Sequence, residues 1–219
     1  LHLSIRRQRQ MCIRDSPYDF LENLEVAKHA DQGQQFSYSG VNTFILAWLI
    51  EKISGESFQD TFTREVWRKI GAESDASFLA YRYGIPLSHG GFLSNMRDMA
   101  RFGLLFTPSY SVVSEERIVS EETIDQLLEK PNPNLVRDDG SHNAAQWDYI
   151  DDDGFMIKGG WGGQGLIVNP RLDLVAVYTS YFKEDYSQEN LRQPLLKILR
   201  DNYLNNEQKC FQPHPFVFH

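Results

Sequence analysis

The hydrophobic period of this chain changes once. From Val41 to Leu128 apolar residues recur at three- and four-residue intervals, whereas from Phe155 to Ser180 they fall in short β-rich runs. Helices first and an antiparallel hairpin late predict an α+β domain, an antiparallel sheet flanked by helices, rather than a regularly alternating βαβ order. Val41, Ile45, Leu46, Leu49, Ile50 and Ile53 predict one helix that buries this stripe, starting at Ser39 or Gly40 and capped by Gly55. A second helix follows from Ser57, with Phe58, Phe62, Val66, Trp67 and Ile70 on one face and Gly71 as its stop. Ser94 is expected to cap a third, with Met96, Met99, Ala100 and Leu104 inward, and Ser120 a fourth, whose first turn carries Glu121 and Glu122. The β-rich runs are Phe155 to Lys158, Gly165 to Asn169 and Leu174 to Ser180, the last two joined by a turn at Pro170-Arg171-Leu172-Asp173. A last helix, near Pro194, carries Leu195, Ile198, Leu199 and Leu204.

The start of the chain has no such pattern. Arg6-Arg7-Gln8-Arg9-Gln10-Met11-Cys12-Ile13-Arg14-Asp15-Ser16 resembles one reading frame of a transposase adapter used in sequencing libraries, and it lacks the apolar core of a targeting peptide. Residues 1–16 are therefore expected to be a non-native leader, residues 17–205 part of one domain, and residues 206–219 a tail. Without the leader's four arginines and one aspartate, 18 basic residues face 29 acidic ones, a net charge of −11. This balance argues against nucleic acid or an anionic membrane as partner and favours small-molecule or peptide chemistry. Cys210 is then the single cysteine, which offers no intrachain disulfide. No apolar run approaches the ~20 residues of a membrane span.

Two segments carry candidate chemistry. In Phe36-Ser37-Tyr38-Ser39-Gly40-Val41-Asn42-Thr43 the chain enters a helix at Tyr38, whose phenol would sit beside the helix N-terminus, where negative charge is favoured. A tyrosine base needs ammonium groups nearby to hold its phenolate, and Lys158 is a candidate. Taken alone, Tyr38 reads more readily as a half-buried tyrosine bonding a loop carbonyl. In Lys158-Gly159-Gly160-Trp161-Gly162-Gly163-Gln164-Gly165 the glycines open a strand to a substrate, and the Trp161 amide is free to face an oxyanion. A β-bulge is the alternative reading of that cluster.

The collinear order of Tyr38-Ser39-Gly40, Gly90-Gly91-Phe92-Leu93-Ser94, Asp98-Met99-Ala100-Arg101-Phe102-Gly103 and the glycine-rich strand pair resembles the serine β-lactamase-related superfamily. Its members include class C β-lactamases, D-alanyl-D-alanine carboxypeptidases, esterases and 6-aminohexanoate-dimer hydrolases. The resemblance implies the β-lactamase and penicillin-binding-protein fold and acyl-enzyme chemistry on an ester or amide, without a cofactor. It implies Tyr38 as general base, Lys158 as its electrostatic partner, and Gly40, Gly159, Gly160 and Trp161 as substrate or oxyanion contacts. Val41-Asn42-Thr43 and Gly163-Gln164 resemble the esterase and nylon-oligomer-hydrolase branch more than the β-lactamases, and Gly40, where a β-lactamase has asparagine, and Gly159, where threonine is usual, argue against strong β-lactam turnover.

The family's nucleophile, on a Ser-x-x-Lys helix, is expected upstream of Tyr38, where the leader stands. Ser180-Tyr181-Phe182-Lys183 spells the motif, but it follows the third element and ends a strand. The chain as given is therefore expected to be inactive. A catalytically silent member that binds peptidoglycan or a small amide stays open. An α/β-hydrolase does not fit, since His89-Gly90-Gly91 has no Gly-x-Ser-x-Gly elbow to serve. His29, His89, His142 and the triplet Asp151-Asp152-Asp153 have no metal-ligand spacing and are expected to face solvent.

Overall fold

The computed structural model describes residues 17–25, 30, 31, 33–81, 84–138, 140–142, 144–185, 187 and 189–204. The expectations for residues 1–16, for residues 206–219 and for His29 lie outside them.

Helix α1 (Pro17–Glu22) leads to α2 (Gly40–Ser54) and α3 (Phe58–Phe62), which runs on into a π-helical turn at Thr63–Trp67. Ser39 caps α2, accepting from Val41 N–H, and Gly55 closes it in the left-handed conformation at φ 72°. Ser57 caps α3, accepting from Asp60 N–H. The strands β1 (Ser77–Phe78) and β2 (Phe92–Leu93) form a small antiparallel pair. Then come α4 (Met96–Leu104) and α5 (Glu121–Leu127). The main sheet is antiparallel in the order β3-β4-β5-β6, with β3 at Tyr149–Ile150, β4 at Met156–Gly159, β5 at Gly165–Asn169 and β6 at Leu174–Tyr178. The last helix is α6 (Arg192–Leu199).

Alternation along the strands divides the core into two layers. Met156, Leu166 and Val168 face one side, where they join Leu127, Trp147 and Ile150 beneath Met99 and Phe102 of α4. Phe155, Ile157, Ile167 and Leu174 face the other, covered by Leu196 and Leu199 of α6. At Gly103 the α4 backbone rests directly on sheet side chains, because a Cβ there would stand 2.6 Å from Val175 Cγ1 and 3.0 Å from Leu166 Cδ1. A third cluster, Trp67, Ile70 and Leu105 with Phe62 and Phe92, holds α3 and β2 to the end of α4. Asp98, fully buried, ties these parts together: its carboxylate accepts from the backbone N–H groups of Glu73 and Ser74 and from Asn95 Nδ2.

This is the α+β architecture with a late antiparallel hairpin, and four of its details differ from the sequence reading. First, the apolar stripe of α2 is turned outward. Ile45, Leu46, Leu49, Ile50 and Ile53 are exposed, Ile53 by 79%, while Phe44 and Ala47 face inward against Tyr18 and Tyr81. The helix is apolar on both sides, so periodicity alone could not choose its inner one. Second, Asn95 caps α4 in place of Ser94, accepting from Asp98 N–H at 2.8 Å, and Met96 is exposed. Third, on α6 Leu196 joins the expected Leu199 in the core, and Ile198 faces solvent. Fourth, His142 is buried, with Nδ1 3.0 Å from the Gly140 carbonyl, and His89 is half-buried. The aspartates Asp151 and Asp153 both bind Arg200, joining the end of α6 to the turn before β4.

Candidate active site

Tyr38 directly precedes the Ser39 cap, in extended chain, and is 69% exposed. Gly40 opens the helix against the ring of His89, where a Cβ would lie only 2.8 Å from His89 Cδ2. One turn on, the Thr43 hydroxyl donates to Gln146 Oε1 at 2.7 Å. The Tyr38 segment is thereby tied to the turn that precedes the main sheet.

That turn is strained. Ala145 and Gln146 both have positive φ, 46° and 77°, between the paired residues Ala144 and Trp147. Two such residues in succession make a tight hairpin connection for which Asn-Gly is the usual choice, and non-glycine residues held there cost about 1–3 kcal/mol each. Burial of Trp147, edge-on to Phe106 at 5.1 Å, and the bond from Thr43 oppose that cost. Ala-Gln gives no turn signal, so the sequence could not show this feature.

Beyond Trp147 comes a residue that sequence reasoning missed. Asp148 Oδ1 accepts from the Lys158 ammonium at 2.5 Å, and its Oδ2 accepts from Gly159 N–H at 2.8 Å. One carboxylate thus orients both the cation and the backbone at the end of β4. The acid lies ten residues before the lysine on a different segment, so no spacing rule reveals it. The pair is partly open to water, with Lys158 and Asp148 side chains 43% and 36% accessible, and acts more by orientation than as a source of stability.

Past Gly159 the chain turns through Gly160 to Gln164, closed by Gly160 N–H to the Gln164 carbonyl at 2.8 Å, with Gly162 and Gly163 at φ 109° and 83°. Trp161 projects from this turn, 83% exposed and edge-on to Phe182 at 5.4 Å. Among the described residues the Trp161 N–H makes no hydrogen bond. A Cβ on Gly159 would meet only Asp148 Oδ2, at 3.6 Å, so glycine here leaves space that a side chain would fill. Ser180 and Lys183 form no such arrangement: the Ser180 hydroxyl donates to the Glu189 carbonyl and Lys183 pairs with the Glu189 carboxylate. A concavity lined by Phe62, Trp67, Phe78 and Phe92 lies between α3 and the small sheet, and none of the candidate residues lines it.

Two expected results follow from the contact of Gly40 with His89. Gly40→Ala should destabilise by about 1–3 kcal/mol in urea denaturation through overpacking, and His89→Ala in the same chain should recover most of the loss. An equal loss in the double variant would show that the clash is not the cause. Burial holds the His89 pKa below its ordinary value. Because the folded form favours neutral imidazole, its contribution is fully present above the unfolded pKa of about 6.5 and is lost as pH falls through the lower folded value. The urea midpoint should therefore drop between about pH 7 and pH 5, and His89→Asn should flatten that slope. An unchanged slope would exclude His89 as its source.

The chain matches the family described as Beta-lactamase over residues 7–196. It is 28% identical over 172 residues to the 6-aminohexanoate-dimer hydrolase of Paenarthrobacter ureafaciens, a match covering 74% of this chain and 43% of that one. Among solved structures it superposes on a candidate 6-aminohexanoate-dimer hydrolase from Bacillus anthracis with TM-score 0.71 and 24% identity, covering 89% of this chain and 50% of the other. A β-lactamase from Mycobacterium bovis superposes with TM-score 0.57 and 19% identity, over 80% and 66% of the two chains. The chain spans about half the length of the first two relatives.

Proposed function

The chain belongs to the β-lactamase family, and on that premise we propose that it is part of a serine hydrolase acting by acyl-enzyme formation on a small ester or amide. The observation that carries this reading is Asp148, which holds the Lys158 ammonium and Gly159 N–H at the glycine-rich end of β4, while Gln146, two residues before it, is tied to the Tyr38 helix. In this mechanism a serine from a Ser-x-x-Lys helix beyond residues 17–204 attacks the carbonyl carbon. Tyr38 takes the hydroxyl proton as the C–O bond forms, and returns it to the leaving alkoxide or amine when the acyl bond breaks. Water then attacks the acyl-enzyme and loses its proton to Tyr38, which passes that proton to the serine oxygen as it departs, releasing the acid and restoring both groups. Lys158 favours the phenolate that must act as base, and the Trp161 N–H stabilises the oxyanion. The open position at Gly159 and the glycine at position 40 support the esterase or 6-aminohexanoate-dimer-hydrolase branch over β-lactam turnover.

The 219-residue chain should form no covalent adduct with a fluorophosphonate probe or a β-lactam, read by intact-protein mass spectrometry. Joined to a family Ser-x-x-Lys segment, it should label once, on that serine. Stoichiometric labelling of Ser180 in the short chain would overturn this reading of the nucleophile. Absence of labelling in the completed protein, with retained binding of the same amide, would favour the non-catalytic binder.

A further inference from the structure

The concavity between α3 and the small sheet has the size and the walls to hold an aromatic ring. Its volume is about 260 Å³, above the ~150 Å³ of a cavity that holds benzene and below the ~300 Å³ at which pockets for drug-sized ligands begin. Four of its wall residues are aromatic, and they meet edge to face: Phe62 crosses Phe78 at 82° and Phe92 at 78°, and Trp67 crosses Phe92 at 80°. A further ring can extend that packing in the geometry aromatic pairs prefer. No charged side chain lines the space, which selects a neutral guest.

The polar groups of the wall say what else the guest carries. Trp67 already gives its ring N–H to the Ser74 carbonyl at 3.1 Å. Gln59 Oε1 is buried and accepts from no group among the described residues. Buried acceptors are satisfied in nearly all native proteins, so this one calls for a donor. The same wall contains the π-helical turn at Thr63–Trp67, closed by Arg68 N–H to the Thr63 carbonyl at 3.0 Å, and such turns are frequent at functional sites.

We propose that this concavity is a binding site for a small neutral aromatic molecule of one or two rings that carries a hydrogen-bond donor, the class of phenols and indoles, with Gln59 Oε1 as its acceptor. The amide meets the guest by turning about its terminal torsion, which is soft in glutamine. None of Tyr38, Asp148, Lys158 and Trp161 lines the space, so binding here is separate from acyl transfer.

Indole and benzofuran, one shape with and without the N–H, test this by NMR titration of the isotope-labelled 219-residue chain. The Trp67 Nε1–H signal should move saturably with indole while those of Trp48, Trp147 and Trp161 stay in place. The Kd for indole should lie below about 1 mM, and benzofuran should bind about 5–10-fold more weakly. Gln59→Met keeps the side chain's length and removes the acceptor, so it should bring the two ligands to equal affinity with Tm unchanged or higher. Ala76→Leu fills the space and should weaken both at least about tenfold. No saturable shift up to about 5 mM indole overturns the proposal, as does a shift centred on the other tryptophans. An indole preference that survives Gln59→Met removes Gln59 as the acceptor. Binding by the short chain that is lost once a family Ser-x-x-Lys segment is joined to it overturns the proposal too, because the domain's own chain then fills the space. No readout involves catalysis, so this proposal and the assigned activity fail independently.

Discussion

Asp98→Ala is expected to lower stability by about 3–5 kcal/mol, the range for removing one partner from a buried charged network. The carboxylate is fully buried and accepts from Glu73 N–H at 2.8 Å, Ser74 N–H at 3.1 Å and Asn95 Nδ2 at 2.6 Å. Alanine leaves two backbone donors without a partner, and each unsatisfied group costs about 1–3 kcal/mol. At this size that corresponds to a Tm lower by roughly 10–15 °C. Asp98→Asn keeps one acceptor oxygen and should lose about half as much. Urea denaturation of the two variants checks the ordering, and a loss below about 1 kcal/mol for alanine would show that water replaces the carboxylate without cost.

Tyr38→Phe should lower kcat for a p-nitrophenyl ester by about 10²–10⁴-fold in the completed protein, with KM changed less than about threefold, because the variant keeps the ring and loses only the proton acceptor. Asp148→Asn should cost less, about 10–100-fold, since the Lys158 ammonium keeps its charge and loses its anionic partner. A Tyr38→Phe enzyme within tenfold of the parent would remove Tyr38 from the proton transfer.

The sequence revealed what repeats locally. Helices α2 to α6 and the hairpin β5–β6 stand where apolar spacing and the Pro170–Asp173 turn put them, with Ser39, Ser57 and Ser120 as caps but Asn95 in place of Ser94. It failed where two segments distant in sequence decide an outcome. The inward side of α2 is set by Tyr18 and Tyr81, not by its own pattern, and His142 is buried by a loop whose composition is polar. Among the candidate residues, Tyr38 and the Lys158 strand were singled out because their local order resembles a family. Asp148 and the Ala145–Gln146 turn were not, because an ion pair across strands and a turn held against its own preference leave no mark in spacing.

The contact at Gly103 also bears on motion. With the α4 backbone resting directly on the Val175 and Leu166 side chains, any shift of helix against sheet must move those side chains from their rotamers. Backbone freedom is greater at the glycine turn from Gly160 to Gln164, where Gly162 and Gly163 already sit in conformations that only glycine visits freely.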